Sequence, residues 1–226
     1  FTYRLIMGAY AVTSLIYAVV FTPSPGRWPT LLTYWSYFTL AIYFLMHFIV
    51  VVEQCCCRVE REDEFGESTK LPWYLVMVWT LFEIMSPMAI TVTLLYWVTV
   101  FPSQNSPVDN SDILLHVMNT VLVLIEHSVT AVPIGLLHVV YPLIFALVYV
   151  IFTVIYWTGD NTRVLYPILD WNDPAIAVAY VFAAAVVVVT FCYLILFAIY
   201  KLRQPYCNCR GINITYCPNV LTYLIA

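Results

Sequence analysis

The sequence predicts an all-α membrane protein, a bundle of six transmembrane helices with both termini in the cytoplasm. Three observations carry that expectation. Of 226 residues, 63% are apolar and only 10% charged, and the mean hydropathy is +0.87. A soluble domain keeps about a quarter of its residues charged so that its surface stays wet. Six stretches are long and apolar enough to cross hydrocarbon, which takes about 20 residues of helix. These runs are continuous, whereas strands of a membrane barrel alternate apolar and polar positions. The same composition excludes an ordinary cytosolic enzyme and a disordered chain. With nine Lys and Arg against thirteen Asp and Glu, for a net charge of -4, no basic face is left for nucleic acid.

The spans are expected at about 5–21, 31–52, 71–100, 113–131, 133–157 and 175–200. The chain starts with Phe rather than Met, which reads as the interior of a longer protein, so the first span is expected to be cut short. The third is about ten residues longer than a bilayer requires, which implies tilt, a kink or a protruding end. Pro87 in the third and Pro142 in the fifth have no N–H to offer the carbonyls of Glu83 and His138, so kinks are expected there. The six spans form one domain over residues 1–203, and 204–226 read as a cytoplasmic tail.

Orientation follows from the cations. Arg4, Arg58, Arg61, Lys70, Lys201, Arg203 and Arg210 fall on one side of six crossings, and only Arg27 and Arg163 on the other. Cytoplasmic flanks carry the excess of Lys and Arg, so the termini are assigned to the cytoplasm. The connections 22–30, 101–112 and 158–174 then face the outside or a lumen, in the plasma membrane or an endomembrane. Cys55, Cys56 and Cys57 sit just inside the second span, where palmitoylation and unmodified interfacial thiols are both open readings. Cys207, Cys209 and Cys217 match no common zinc spacing, and neither a metal nor a cofactor is expected. Asn213-Ile214-Thr215 spells a glycosylation sequon on the side where none is used.

Ionisable groups in hydrocarbon cost several kcal/mol unless they are paired or face a cavity, so each needs a reason. At helical period the fourth span carries Asp112, His116, Asn119, Thr120, Val123, Glu126, His127 and Thr130 on one stripe, which must face the bundle interior. The second span runs the same way and carries Thr33, Ser36 and Tyr37 near its outer end, with His47 later on nearly the same face. At about 1.5 Å of rise per residue, Thr33 falls near the depth of His116 and Asn119, and His47 near that of Glu126 and His127. Two polar layers result, with His138 a further candidate for the inner one. Glu83 and His138 are expected chiefly to bond one another and hold helices together.

Tyr156-Trp157-Thr158-Gly159-Asp160 and Tyr166-Pro167-Ile168-Leu169-Asp170-Trp171-Asn172-Asp173-Pro174 resemble the outer-loop signature of rolling stone proteins, six-span animal membrane proteins named for a role in myoblast fusion. Trp28, the run from Leu32 to Tyr37 and the run from His116 to Val121 resemble the family's other recurring pieces. The likeness covers the spans to about residue 203. It implies action in cell–cell contact or fusion, with Tyr166, Asp170, Trp171 and Asp173 either meeting a cell-surface protein partner or anchoring the loop at the interface.

The family is more distantly similar to the androgen-induced and androgen-dependent membrane hydrolases, which cleave fatty acid esters of hydroxy fatty acids with a Thr and a His. Leu32-Thr33-Tyr34 fits the nucleophile motif, while the position of the catalytic His is Asn119 here. A Thr hydroxyl needs a base to take its proton, and Asn cannot serve as one. The alternative to the fusion role is therefore an intramembrane threonine hydrolase of a lipid ester. Thr33 would be nucleophile, His116 base, Asp112 the group orienting that base, and Asn119 an oxyanion donor. Membrane lipids are the expected partners in either case.

Overall fold

In hydrocarbon every backbone polar group must be satisfied internally, and a helix does this within one segment. The computed structural model describes residues 2–21, 26–57, 72–104, 107–130, 132–160, 162 and 164–209, and no strand occurs among them. Six helices are long and apolar enough to span: α1 (Thr2–Val20), α2 (Leu32–Glu53), α3 (Trp73–Ser103), α4 (Asn110–Val129), α5 (Leu136–Gly159) and α6 (Pro174–Arg203). The helices of α2 and α6 continue to Cys57 and Cys209. Arg58, Arg61, Lys70, Arg163, Arg210, Asn213 and Cys217, and the side chains of Cys55, Cys56, Cys57, Cys207 and Cys209, lie outside what is described.

Local chemistry sets the boundaries. Helix α4 starts three residues before the expected position because Asp109 and Asp112 form a capping box, each side chain accepting from the other's backbone N–H. Helix α6 starts at Pro174, whose missing N–H costs nothing there, with the Asp173 carboxylate accepting from the Ile176 N–H. The long α3 keeps Pro87 inside it and widens to a π turn over Tyr96–Val100. Pro142 does not break a helix as expected. Residues Leu136–Val139 form a 3-10 turn and the α-helix proper begins at Val140, so Pro142 falls in its first turn and the His138 carbonyl accepts from the Val140 N–H.

Helix α3 is central: it packs on α2 and also touches α4, α5 and α6, while α1 packs on α2 and touches α4. Tyr37, Leu40, Tyr43 and Phe44 of α2 meet Leu75, Val78, Phe82 and Met85 of α3 in one core.

Two buried carboxylates tie this core together. Glu126 of α4 is fully buried and pairs with the Arg4 guanidinium of α1. It also accepts from the Tyr3 hydroxyl at 2.8 Å and the Tyr43 hydroxyl at 2.6 Å, while His47 Nδ1 lies 2.9 Å from the Tyr43 hydroxyl. The inner polar layer of His47 with Glu126 is therefore present, but Arg4, expected among the flanking charges, is 4% exposed and belongs to it. Its position at the first turn of a span made it look like a loop cation. His127 instead packs its ring, tilted, against Phe82, with ring centres 4.7 Å apart.

The second tie is at Glu83 of α3. Its Oε1 lies 3.0 Å from His138 Nδ1 and its Oε2 accepts from the Tyr193 hydroxyl of α6 at 2.9 Å. Glu83 and His138 do bond one another, as expected. Arg203, near the end of α6, donates to the His127 carbonyl at the end of α4, where free carbonyls attract a cation.

Removing one partner of a buried ion pair costs about 3–5 kcal/mol because the other charge is left uncompensated. Glu126→Ala should therefore lower the melting temperature in detergent markedly, and Arg4→Met combined with Glu126→Leu should recover much of the loss. A Glu126→Ala protein as stable as wild type would contradict this role.

Candidate functional site

On the side of the connections 26–31 and 164–173, the spans line a cavity of about 120 Å³ between α2, α3, α5 and α6. One end is polar. The 3-10 turn Trp28–Thr30, set by Pro29, delivers the start of α2, and there the Leu32 N–H donates to the Tyr166 hydroxyl at 3.1 Å. The Tyr149 hydroxyl of α5 donates to the Thr30 carbonyl at 2.9 Å, and the Tyr166 hydroxyl also bonds the hydroxyls of Tyr149 and Thr33. Burial pushes the Tyr166 phenol above its ordinary range, against the opposite pull of its hydrogen bonds with the Leu32 N–H, Tyr149 and Thr33.

The loop that carries Tyr166 is built by its own side chains. Asp170 accepts from the Asn172 N–H at 2.9 Å and its amide at 2.7 Å, Trp171 Nε1 donates to the Thr153 hydroxyl at 3.2 Å, and Asp173 caps α6. The Arg27 guanidinium reaches the Val164 carbonyl at 3.4 Å, linking this loop to the connection before α2. The polar and aromatic residues expected to meet a partner or an interface are thus largely used in holding the loop and closing the cavity.

Away from this end the lining is largely apolar, including Met88, Val92, Ala184, Ala185 and Val189, with Thr91, Tyr96, Thr99 and Tyr180 set among them. Two π turns supply much of it. Tyr96, Thr99 and Val100 come from the π turn of α3, and Ala184, Ala185 and Val189 from a second over Ala183–Val189 of α6. Such turns bond i to i+5, are uncommon, and are found frequently at functional sites.

Of the four residues expected to form a catalytic group, Thr33 lines the cavity. His116 is buried behind it, on a third π turn over Ile113–Val117, with its ring stacked on Tyr96 at 3.5 Å and 3°. The Thr93 hydroxyl donates to the His116 carbonyl, and the ring Nδ1 has no hydrogen bond. Asp112 does not orient that ring: one of its oxygens accepts from the Tyr96 hydroxyl and the other from the Asp109 N–H at 3.0 Å. Asn119 is fully buried with neither amide atom bonded, and it is off the lining. The stripe on α4 faces inward as expected, but Tyr96 stands between it and the cavity. No hydrogen bond joins Thr33 to His116, or Asp112 to His116, among the described residues.

Sequence reasoning missed Tyr96, Tyr149 and the inward turn of Tyr166. The signals were present: a hydroxyl-bearing ring in the middle of a span has to find a partner. The lining contains no Asp, Glu, His, Lys or Arg among the described residues, so its chemistry is that of hydroxyl donors and acceptors beside hydrocarbon. No group of three His, Cys, Asp or Glu suited to a metal is gathered among them either.

A family model described as Protein rolling stone matches residues 1–224. The chain is 27% identical to Protein rolling stone of Drosophila melanogaster over 233 residues, which cover 97% of this chain and 82% of that protein. No solved structure matches it.

Tyr166→Phe would take the 3.1 Å acceptor from the Leu32 N–H, leaving it the Tyr149 hydroxyl, at a cost of about 1 kcal/mol. The expected outcome is a melting temperature several degrees lower and faster hydrogen exchange at the first turn of α2. Unchanged exchange there would remove Tyr166 as the closure of the cavity.

Proposed function

The chain belongs to the rolling stone family, and from that premise we propose that it is a multi-pass membrane protein acting in cell–cell contact or myoblast-type fusion through its outer connections. The observation that supports this most is that residues 26–31 and 164–173 form one hydrogen-bonded cap joined through Arg27 and Tyr166. A surface fixed before binding avoids the entropy of ordering loops on contact. Arg27, Pro29, Pro167, Asn172 and Asp173 remain exposed on it, and a cell-surface protein is the partner it suits. The excess of Lys and Arg on the opposite side supports an orientation with both termini in the cytoplasm.

A second reading, hydrolysis of a lipid ester within the membrane, is favoured by Thr33, whose hydroxyl sits where a polar end meets an apolar cavity. Attack on an ester carbonyl needs a base for the Thr33 proton. His116 would supply it only after Tyr96 swings out of the stack, and Asn119 has the free amide an oxyanion needs but would have to be brought to the lining by the same movement.

Two experiments separate the readings. Arg27→Glu and Asn172→Arg, exposed changes that also remove bonds to the Val164 carbonyl and the Asp170 carboxylate, should reduce cell mixing several-fold at equal surface level and in protein whose melting temperature is unchanged. Mixing unchanged in both would argue against this surface. For the hydrolase, labelling by a fluorophosphonate probe should be lost in Thr33→Ala and His116→Ala. Absence of labelling and of turnover in folded wild-type protein would end that reading.

A further inference from the structure

We propose that the outer cavity is a binding site for a neutral single-chain lipid of the monoacylglycerol class, its head oxygens held by Thr33 and its first carbons among the π turns of α3 and α6. Hydrogen-bond capacity places the head. The Tyr149 hydroxyl spends its proton on the Thr30 carbonyl, and the Tyr166 hydroxyl accepts from the Leu32 N–H and also bonds the Tyr149 and Thr33 hydroxyls. Thr33 is the member of this cluster with capacity to spare, since a hydroxyl donates once and accepts twice.

Charge selects the head. No cation lines the cavity among the described residues, and Arg27, the cation near its polar end, is turned to the Val164 carbonyl, so an unpaired carboxylate or phosphate taken into so apolar a space loses hydration that the lining does not replace. A hydroxyl, ester or ether oxygen is accommodated by hydroxyls alone. Size and shape select a single chain. A volume of about 120 Å³ is close to that of an engineered apolar cavity that takes up benzene, so about six heavy atoms fit. The rest of the chain leaves beside Tyr180, a lining residue that is 46% exposed. That residue is six positions into α6, about 9 Å along the helix, a depth at which a bound lipid would extend into the bilayer.

Occupancy does not require Thr33 to react, and an ether ligand keeps binding apart from turnover. The test uses the full chain in phosphatidylcholine nanodiscs with a 1-O-alkylglycerol ether carrying a diazirine near its head and an alkyne at its tail. A fatty acid of the same chain and labels serves as the charged counterpart. The expected result is saturable labelling of peptides from 88–100 and 180–189, reduced more than tenfold by Ala184→Trp. Thr33→Val, which keeps the volume, should reduce it about three- to tenfold, and the fatty acid should label at least tenfold less. Should Ala184→Trp fail to fold, Ala185→Leu gives the same reading at smaller size. Labelling insensitive to Thr33→Val and to the filled cavity, or equal labelling by the fatty acid, would overturn the proposal.

Discussion

The bundle depends on keeping the Glu126 carboxylate charged and satisfied away from water. Taking a carboxylate and a guanidinium out of water costs several kcal/mol each, which their attraction offsets only when the remaining oxygens and protons are also bonded. Here Arg4, Tyr3 and Tyr43 all reach the same carboxylate. Because these groups sit on α1, α2 and α4, satisfying the charge fixes three helices to one another. Glu83, His138 and Tyr193 do the same for α3, α5 and α6. Apolar packing between helices discriminates poorly in lipid, where tails are as apolar as Leu, so such polar ties set which faces meet.

Both ties lie toward the side on which α1 begins and α2 and α4 end. The other half of the bundle is held by hydroxyl groups, by the Tyr96 contact with Asp112 and by loop capping, and the three π turns among the described residues occur in it. A π turn carries an extra residue, which displaces the backbone and opens space beside it. The two on α3 and α6 flank the cavity, and the one on α4 presents His116 to the back of Tyr96. One half is therefore fixed by charge while the other retains a site.

The six spans were legible in the sequence because the demand that a helix satisfy itself in hydrocarbon writes a long apolar run for each. The inward stripe of α4 was legible for a related reason: Glu126 and His127 cannot face lipid, and helical period carries the rest with them. Partners were harder to read. Arg4 sits where flanking charges normally do, and Tyr43 and Tyr193 read as apolar or interfacial until their hydroxyls are seen to reach carboxylates. The expected relay of Asp112, His116 and Thr33 was built on helix phase, but a π turn on α4 and the inserted ring of Tyr96 changed which side chains meet. Register shifts of this kind leave no mark in an apolar pattern, so the cavity itself could not be foreseen.

The contrast between a charge-fixed half and a looser cavity-bearing half is open to one direct measurement, hydrogen–deuterium exchange by residue in nanodiscs. Amides around Arg4, Tyr43 and Glu126 should exchange slowest. Those of the π turns at Tyr96–Val100 and Ala183–Val189 should exchange fastest among the spans, because their bonds are fewer and less well aligned. Equal protection along α3 and α6, or faster exchange around Glu126 than at the π turns, would contradict that division.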